Sequence, residues 1–240
     1  MVLPNLTRDQ AIERAALVTV ERYNVDLDLT DGAGAPGEKT FRSLTTVEFS
    51  ALPGADTYID IAAESVQRAT LNGIDLEVSG YDEENGIALR GLQERNTLVV
   101  DATCLYSNTG EGLHRFVDPV DNEVYIYSQF ETADAKRMFA CFDQPDLKAT
   151  FDIRVTAPAH WEVVSNGAPA NAEDAGDAKT LTFETTPKMS TYLVALIAGP
   201  YAFWRDAYTD EHGEIPLGLF CRKSLAEFMD AERLFTETKQ

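Results

Sequence analysis

The sequence predicts a mainly β chain, an antiparallel sandwich or saddle with a short helix ahead of it and one more strand and helix behind. Three observations predict it. Apolar residues recur at every second position in many short runs, turn residues separate those runs closely, and the middle of the 240-residue chain lacks the helical spacing of a βαβ array. A composition of 44% hydrophobic residues, with 10% aromatics, supplies a sizeable core.

Taken in order, Thr7-Arg-Asp-Gln10 has capping-box spacing with Leu6 placed to staple onto Ala11, which predicts a helix over about 8–17. Tyr23, Val25, Leu27 and Leu29 then alternate with Asn24, Asp26 and Asp28 as in a half-buried strand. Asp31 to Gly37 reads as a loose turn, after which Phe41, Thr45, Val47 and Phe49 resume the alternation. Asn72-Gly73 between Ala69-Thr-Leu71 and Ile74 to Val78 is a hairpin signal, because both residues accept positive φ. Further strands are expected at 87–89, 97–106, 124–130, 149–156, 161–165, 180–183 and 192–198. A helical turn with Thr132 as its cap interrupts them at Ala133 to Met138, and Ala168 to Ala178 reads as a polar loop. After Gly199-Pro200 the character changes: Ile215 to Cys221 reads as one more strand, and Ser224-Leu-Ala-Glu227 as a capping box opening a helix with Leu225, Phe228, Leu234 and Phe235. The predicted division is a β domain over 1–203 and the start of another unit over 204–240; a surface helix packed back on the β domain is the other reading of the last segment.

Forty acidic against twenty basic residues give a formal charge of −20. Nucleic acid is excluded as a partner, since phosphates need a Lys/Arg surface, and an anionic membrane surface is disfavoured for the same reason. No apolar run reaches spanning length, and the first residues, Met-Val-Leu-Pro-Asn-Leu-Thr-Arg-Asp, lack the blocks of a signal peptide. Cys104, Cys141 and Cys221 are odd in number and widely spaced, so neither a disulfide framework nor a zinc knuckle is expected, and the expected compartment is cytoplasmic. Cys141, with no adjacent His, reads as a buried structural thiol.

The functional information concentrates in Tyr125 to Phe151. Gln129 and Glu131 stand two apart at the end of an alternating strand, on the side shared with Tyr125 and Tyr127, while Ile126, Ser128 and Phe130 face the other way. A carboxylate beside an amide oxygen suits a cationic amine: one supplies charge, the other a directional acceptor. Without more context, two exposed polar positions on one strand face is the better reading of the pair.

This stretch resembles a signature of the zinc aminopeptidase family typified by aminopeptidase N. The match runs through Gln129, Phe130, Glu131, Ala135, Phe139, Cys141, Phe142, Asp143, Pro145, Lys148, Ala149 and Phe151, with Gly112 to Pro119 and Met189 to Gly199 as flanking landmarks. Ser128, Thr132, Lys136, Ala140 and Gln144 depart from the pattern, and all leave the amine acceptors in place. The resemblance implies that Gln129 and Glu131 bind the substrate α-amine, that Tyr125 and Tyr127 wall the pocket of the first residue, and that Asp143, Lys148, Arg137, His114 and Arg115 are scaffold. It implies peptides with a free N-terminus as substrates. The family holds zinc with a His-Glu-x-x-His helix, and neither this motif nor the Gly-x-Met-Glu-Asn clamping loop occurs among His114, His160, His212 and their neighbours. The chain itself is therefore expected to carry no catalytic residue and no metal ligand, to be inactive alone, and to work with the remainder of its own chain. Residues 204–240 would then be the first strand and helix of a truncated α+β thermolysin-like catalytic domain. The rival reading is a non-catalytic relative acting as an interaction scaffold.

Overall fold

A computed structural model describes residues 6–240; the stretch read for a leader includes residues 1–5, which lie outside the described residues. Along the chain run α1 (Arg8–Leu17), β1 (Val18–Asp28), β2 (Thr40–Ala51), β3 (Thr57–Ile59), β4 (Ala63–Leu71), β5 (Ile74–Asp75), β6 (Ile87–Leu89), β7 (Arg95–Leu105), β8 (Gly112–Val117) and β9 (Val124–Gln129). There follow β10 (Thr150–Pro158), β11 (Glu162–Ser165), β12 (Pro169–Ala175), β13 (Ala178–Phe183), β14 (Leu196–Gly199), β15 (Ala202–Asp210), β16 (Gly213–Cys221) and α2 (Ala231–Thr238), with 3-10 turns at Ala135–Arg137, Thr191–Leu193 and Lys223–Phe228.

The predicted alternation becomes an eight-stranded sheet in the order β12-β13-β10-β1-β2-β7-β4-β5 and a four-stranded sheet in the order β11-β14-β9-β8. Pairing between the named strands is antiparallel except between β1 and β10, which run parallel from Arg22 opposite Thr150 to Asp28 opposite Thr156. Periodicity cannot report this, since it says which face a residue takes and not which strand lies beside it. In β2 the residues at 41, 43, 45, 47 and 49 are all buried. In β1 the buried parity switches from Val18 and Val20 to Tyr23, Val25 and Leu27 across a register shift between Val20 and Arg22, as a bulge requires.

One contiguous core joins both sheets, with Leu113, Ile126, Val163 and Leu196 of the smaller packed with Tyr23, Val47, Leu98 and Phe151 of the larger. At its centre Tyr23 stacks on Phe151 with 5.0 Å between ring centroids, and Phe139 meets both rings edge-on. The Tyr23 hydroxyl accepts the Phe142 N–H at 3.1 Å, so this buried phenol has its partner.

Several expectations are corrected. Residues 169–175 form β12, an edge strand exposed along its whole length, where the polar composition had suggested a loop; an edge strand with neither face covered has no alternation to show. The strand expected from Tyr192 begins only at Leu196, after the turn at Thr191–Leu193. Thr132 does not cap: the turn starts at Ala135, with Asp134 before it. Ser224 opens no α-helix, because its hydroxyl donates to Asp118 at 2.6 Å; the 3-10 turn passes instead into α2, whose cap is Asp230 accepting from the Arg233 N–H. β15, which carries Phe203 and Trp204, pairs with β16 alone in a two-stranded sheet. The helix over Arg8–Leu17 and its Thr7–Gln10 capping box are present as predicted.

Candidate functional site

Gln129 closes β9, and Glu131 lies just beyond the end of the strand. The Glu131 N–H donates to the Gln129 side-chain oxygen at 2.9 Å, so the amide caps the strand end and ties the two residues together. An amide oxygen carries two lone pairs and retains one for a second donor. Both residues are exposed, and among the described residues no cation pairs with the Glu131 carboxylate. The Glu131–Thr132 peptide bond is cis.

Inner and outer sides of β9 separate as predicted: Ile126 and Phe130 are buried, and Ser128 points to the neighbouring strand, its Oγ accepting the Leu196 N–H at 2.8 Å. On the outer side the two tyrosines part company. Tyr127 is exposed, whereas Tyr125 is 1% exposed and cannot wall a pocket. Tyr201 lies edge-on against Tyr125 at 5.0 Å, and the Tyr125 hydroxyl donates to Asp121 at 2.8 Å and accepts the Lys223 N–H at 3.0 Å. Burial, followed by Asp121, pushes the Tyr125 phenol above its ordinary range. What covers it is distant in sequence, which is why alternation placed it wrongly.

His114 is the neighbour that motif reading missed. Register sets His114 opposite Tyr127 and Gly112 opposite Gln129, and the His114 ring lies 4.8 Å from that of Tyr127. The Gly110 N–H donates to its Nδ1 at 3.0 Å, and partial burial lowers its pKa, so the ring favours the neutral form. Asp118-Pro-Val-Asp-Asn122, a turn between two alternating runs, was the available signal for a β8–β9 hairpin. Gly112 has φ +68, and a Cβ there would come within 2.8 Å of the Arg137 Cδ. Arg137, paired with Asp134 at 2.6 Å, therefore lies flat across the residue opposite Gln129 and holds down the loop after Glu131.

The buried half of the motif is scaffold. Asp143 accepts the Lys136 N–H at 3.1 Å and the Thr191 hydroxyl at 2.9 Å, while its own N–H donates to Asp60 at 3.0 Å. Asp60 is held by Arg14 of α1 at 2.6 Å, and the Gln144 amide donates to the Ala11 carbonyl at 2.9 Å, so the leading helix is clamped to this corner. Burial raises the Asp143 carboxyl to about 6, with Asp60 adding to the rise and the two donors opposing it. Lys148 is exposed. The thiols of Cys104 and Cys141 are pushed up by burial, the first to about 12, which keeps both protonated and unreactive.

Behind β9, Asp118 is 1% exposed and takes the Ser224 hydroxyl at 2.6 Å and Arg222 at 2.9 Å. These contacts, with the Val120 N–H, hold its carboxyl below the ordinary range. Among the described residues no group of three or more His, Cys, Asp or Glu is placed to hold a metal ion, and no helix is long and apolar enough to cross a membrane.

Residues 20–193 match the Peptidase M1 N-terminal domain. Over 238 residues the chain is 49% identical to Aminopeptidase N of Streptomyces lividans, an alignment covering 98% of this chain and 27% of the relative. It is 29% identical over 208 residues to Aminopeptidase N of Acetobacter pasteurianus, covering 72% of this chain and 58% of that protein. It is also 28% identical over 195 residues to Tricorn protease-interacting factor F2 of Thermoplasma acidophilum, covering 80% and 23%. This chain thus spans about a quarter of the length of its Streptomyces relative. With a strand framework matched from the start of β1 to the turn before β14, the chain belongs to the Peptidase M1 N-terminal domain family.

Proposed function

We propose that this chain is the amine-anchoring domain of a zinc-dependent aminopeptidase that removes N-terminal residues from peptides in the cytoplasm, and that it is inactive by itself. One observation carries the reading: at the end of β9 the Glu131 N–H ties its residue to the Gln129 amide oxygen, both side chains are exposed, and among the described residues no cation pairs with the Glu131 carboxylate. A peptide α-amine has a pKa of about 7.7 to 8.0 and is mostly protonated near neutral pH. A carboxylate about 4 Å from it, at an effective dielectric of about 20, gains on the order of 4 kcal/mol before desolvation is deducted. Gln129 directs the ammonium, and Tyr127 with His114 flanks the first side chain. Three free cysteines, two of them buried, accord with a reducing compartment.

The side chains of this domain do not fit zinc: His114 Nδ1 is already an acceptor, and His160 and His212 lie in separate segments of the chain. The metal, which polarises a carbonyl and lowers the pKa of bound water, belongs in this reading to the catalytic region of the longer protein.

The test uses the polypeptide that joins this chain to that region. Glu131→Ala is expected to lower kcat/KM for free-amine substrates by about 10 to 1000 fold, with Glu131→Gln between it and wild type and Gln129→Ala milder. Inhibition by N-acetylated analogues should stay unchanged; equal losses for both would assign Glu131 to the fold. A scaffold acting through protein contacts is the second reading, favoured by a relative named for interaction with a protease. Finding His-Glu-x-x-His in the sequence that follows residue 240 decides between them.

A further inference from the structure

Both routes out of the Gln129–Glu131 pair lead to one buried carboxylate. Forward along the chain, the loop after Glu131 reaches Lys136, whose N–H donates to Asp143 Oδ2 at 3.1 Å and whose carbonyl accepts the Ala62 N–H at 2.7 Å. Sideways across the sheet, Ser128 accepts the Leu196 N–H and donates to the Val194 carbonyl at 3.5 Å; Val194 ends the turn opened by Thr191, whose hydroxyl donates to Asp143 Oδ1 at 2.9 Å. The Asp143 N–H is itself fixed on Asp60, which Arg14 holds. Each oxygen of one carboxylate thus serves a different segment, and those two segments adjoin the two members of the amine pair.

We propose that Asp143 is a positioning residue for the amine site, its ionised carboxylate holding the Glu131 loop and the Thr191 turn in register so that Glu131 and Gln129 meet one ammonium. This rests on the assignment of that pair to the substrate amine, and Asp143 touches no substrate. A carboxylate accepts at both oxygens, whereas a carboxylic acid must turn one into a donor, so protonation takes the anchor from one segment. The charged and titratable groups around Asp143 are Asp60 after β3, Arg14 on α1, Tyr23 on β1, Lys136 on the turn, Cys141 beside it, and Tyr58 of β3 and Glu84 across a small shared cavity. None of these offers the proton a better acceptor than Asp60, whose Oδ2 already takes the Asp143 N–H and Arg14. Burial brings the carboxyl to about 6, inside the range a titration reaches.

The Glu131 N–H reports directly on the pair, because it bonds to Gln129. In the 15N-labelled 240-residue chain titrated from acid to neutral pH, the amides of Glu131, Lys136 and Thr191 are expected to shift together with a midpoint near 6. The Asp143 carboxyl carbon should share that midpoint, while amides of β15 and β16 should not follow it. D143N, which like the neutral acid accepts at one atom and donates at the other, is expected to hold the acid-limit shifts at every pH and to abolish the inflection. Asp143→Ala should displace the Glu131 amide at every pH. An inflection at Glu131 that survives in D143N belongs to His114 and overturns the proposal, as does a Glu131 amide that ignores the Asp143 carboxyl carbon in the wild type; the latter needs no variant to fold. If the shared titration is found but Glu131→Ala leaves free-amine substrates unaffected, the amine assignment fails and the Asp143 coupling stands; the converse sinks only the coupling.

Discussion

Phe139 to Asp143 and Tyr127 to Glu131 belong to one continuous motif, yet they do opposite work. The first stretch is buried at every position, its rings packed on Tyr23, Phe49 and Phe151 and its carboxylate spent on backbone and hydroxyl donors. In the second only Phe130 is buried, and Tyr127, Gln129 and Glu131 face outward. Matching residues carry equal weight in a motif; burial decides which of them hold the structure and which remain free to meet a ligand. Removing the packed rings of the first stretch should therefore cost stability, and changes at the outward-facing Tyr127, Gln129 and Glu131 should cost little.

Phe139→Ala tests the buried half most severely. It empties a site in contact with three aromatic rings, and a loss of roughly 3 to 5 kcal/mol is expected from urea unfolding. A loss below 1 kcal/mol would mean that this corner is not the core's centre. Asp60→Ala comes next, because it leaves the Arg14 guanidinium at 3% exposure without its carboxylate, at an expected cost of about 3 kcal/mol. Replacing both residues by apolar ones of similar size should recover much of that loss, which a double-mutant cycle measures.

Gly112→Ala probes the border between the halves. A positive φ and the approach of Arg137 predict a loss of about 1 to 2 kcal/mol, which Arg137→Ala should only partly relieve, since the backbone strain remains.

The pH dependence sharpens the comparison further. A folded carboxyl raised to about 6 favours the protonated state, so the contribution of Asp143 to stability is full below its unfolded pKa and is lost as pH rises through about 6. D143N, which cannot ionise, should thus gain stability relative to wild type as pH climbs from about 4 to about 6 and hold that gain above. A difference that is flat with pH would mean that Asp143 titrates as an ordinary exposed acid. The smallest effect is expected at the exposed end: Glu131→Ala should change unfolding free energy by no more than about 0.5 kcal/mol. A large loss there would merge the two halves into one structural unit.

The positions of most strands and the leading helix were legible because period-2 burial and a capping box are local patterns: Tyr23, Val25, Leu27, Val47 and Phe49 declare their face through their neighbours. Gln129 and Glu131 were legible as a pair for the same reason. Tyr125 was not, since Tyr201 and Lys223 cover it from far along the chain. Ser224 misled for a related reason, its hydroxyl drawn from its own helix to Asp118.

By itself the sequence determined the class of fold, the family and the acidic balance of the chain. The tertiary structure alone decided that β1 runs parallel to β10, that His114 stands beside Tyr127, and that Arg14, Asp60 and Asp143 form one buried chain of contacts. The physical reason is the reach of the forces involved. Alternation and capping arise between residues a few positions apart, whereas strand pairing, the burial of a carboxylate and the covering of a ring depend on which distant segment arrives, and nothing in a residue's immediate neighbours encodes that arrival.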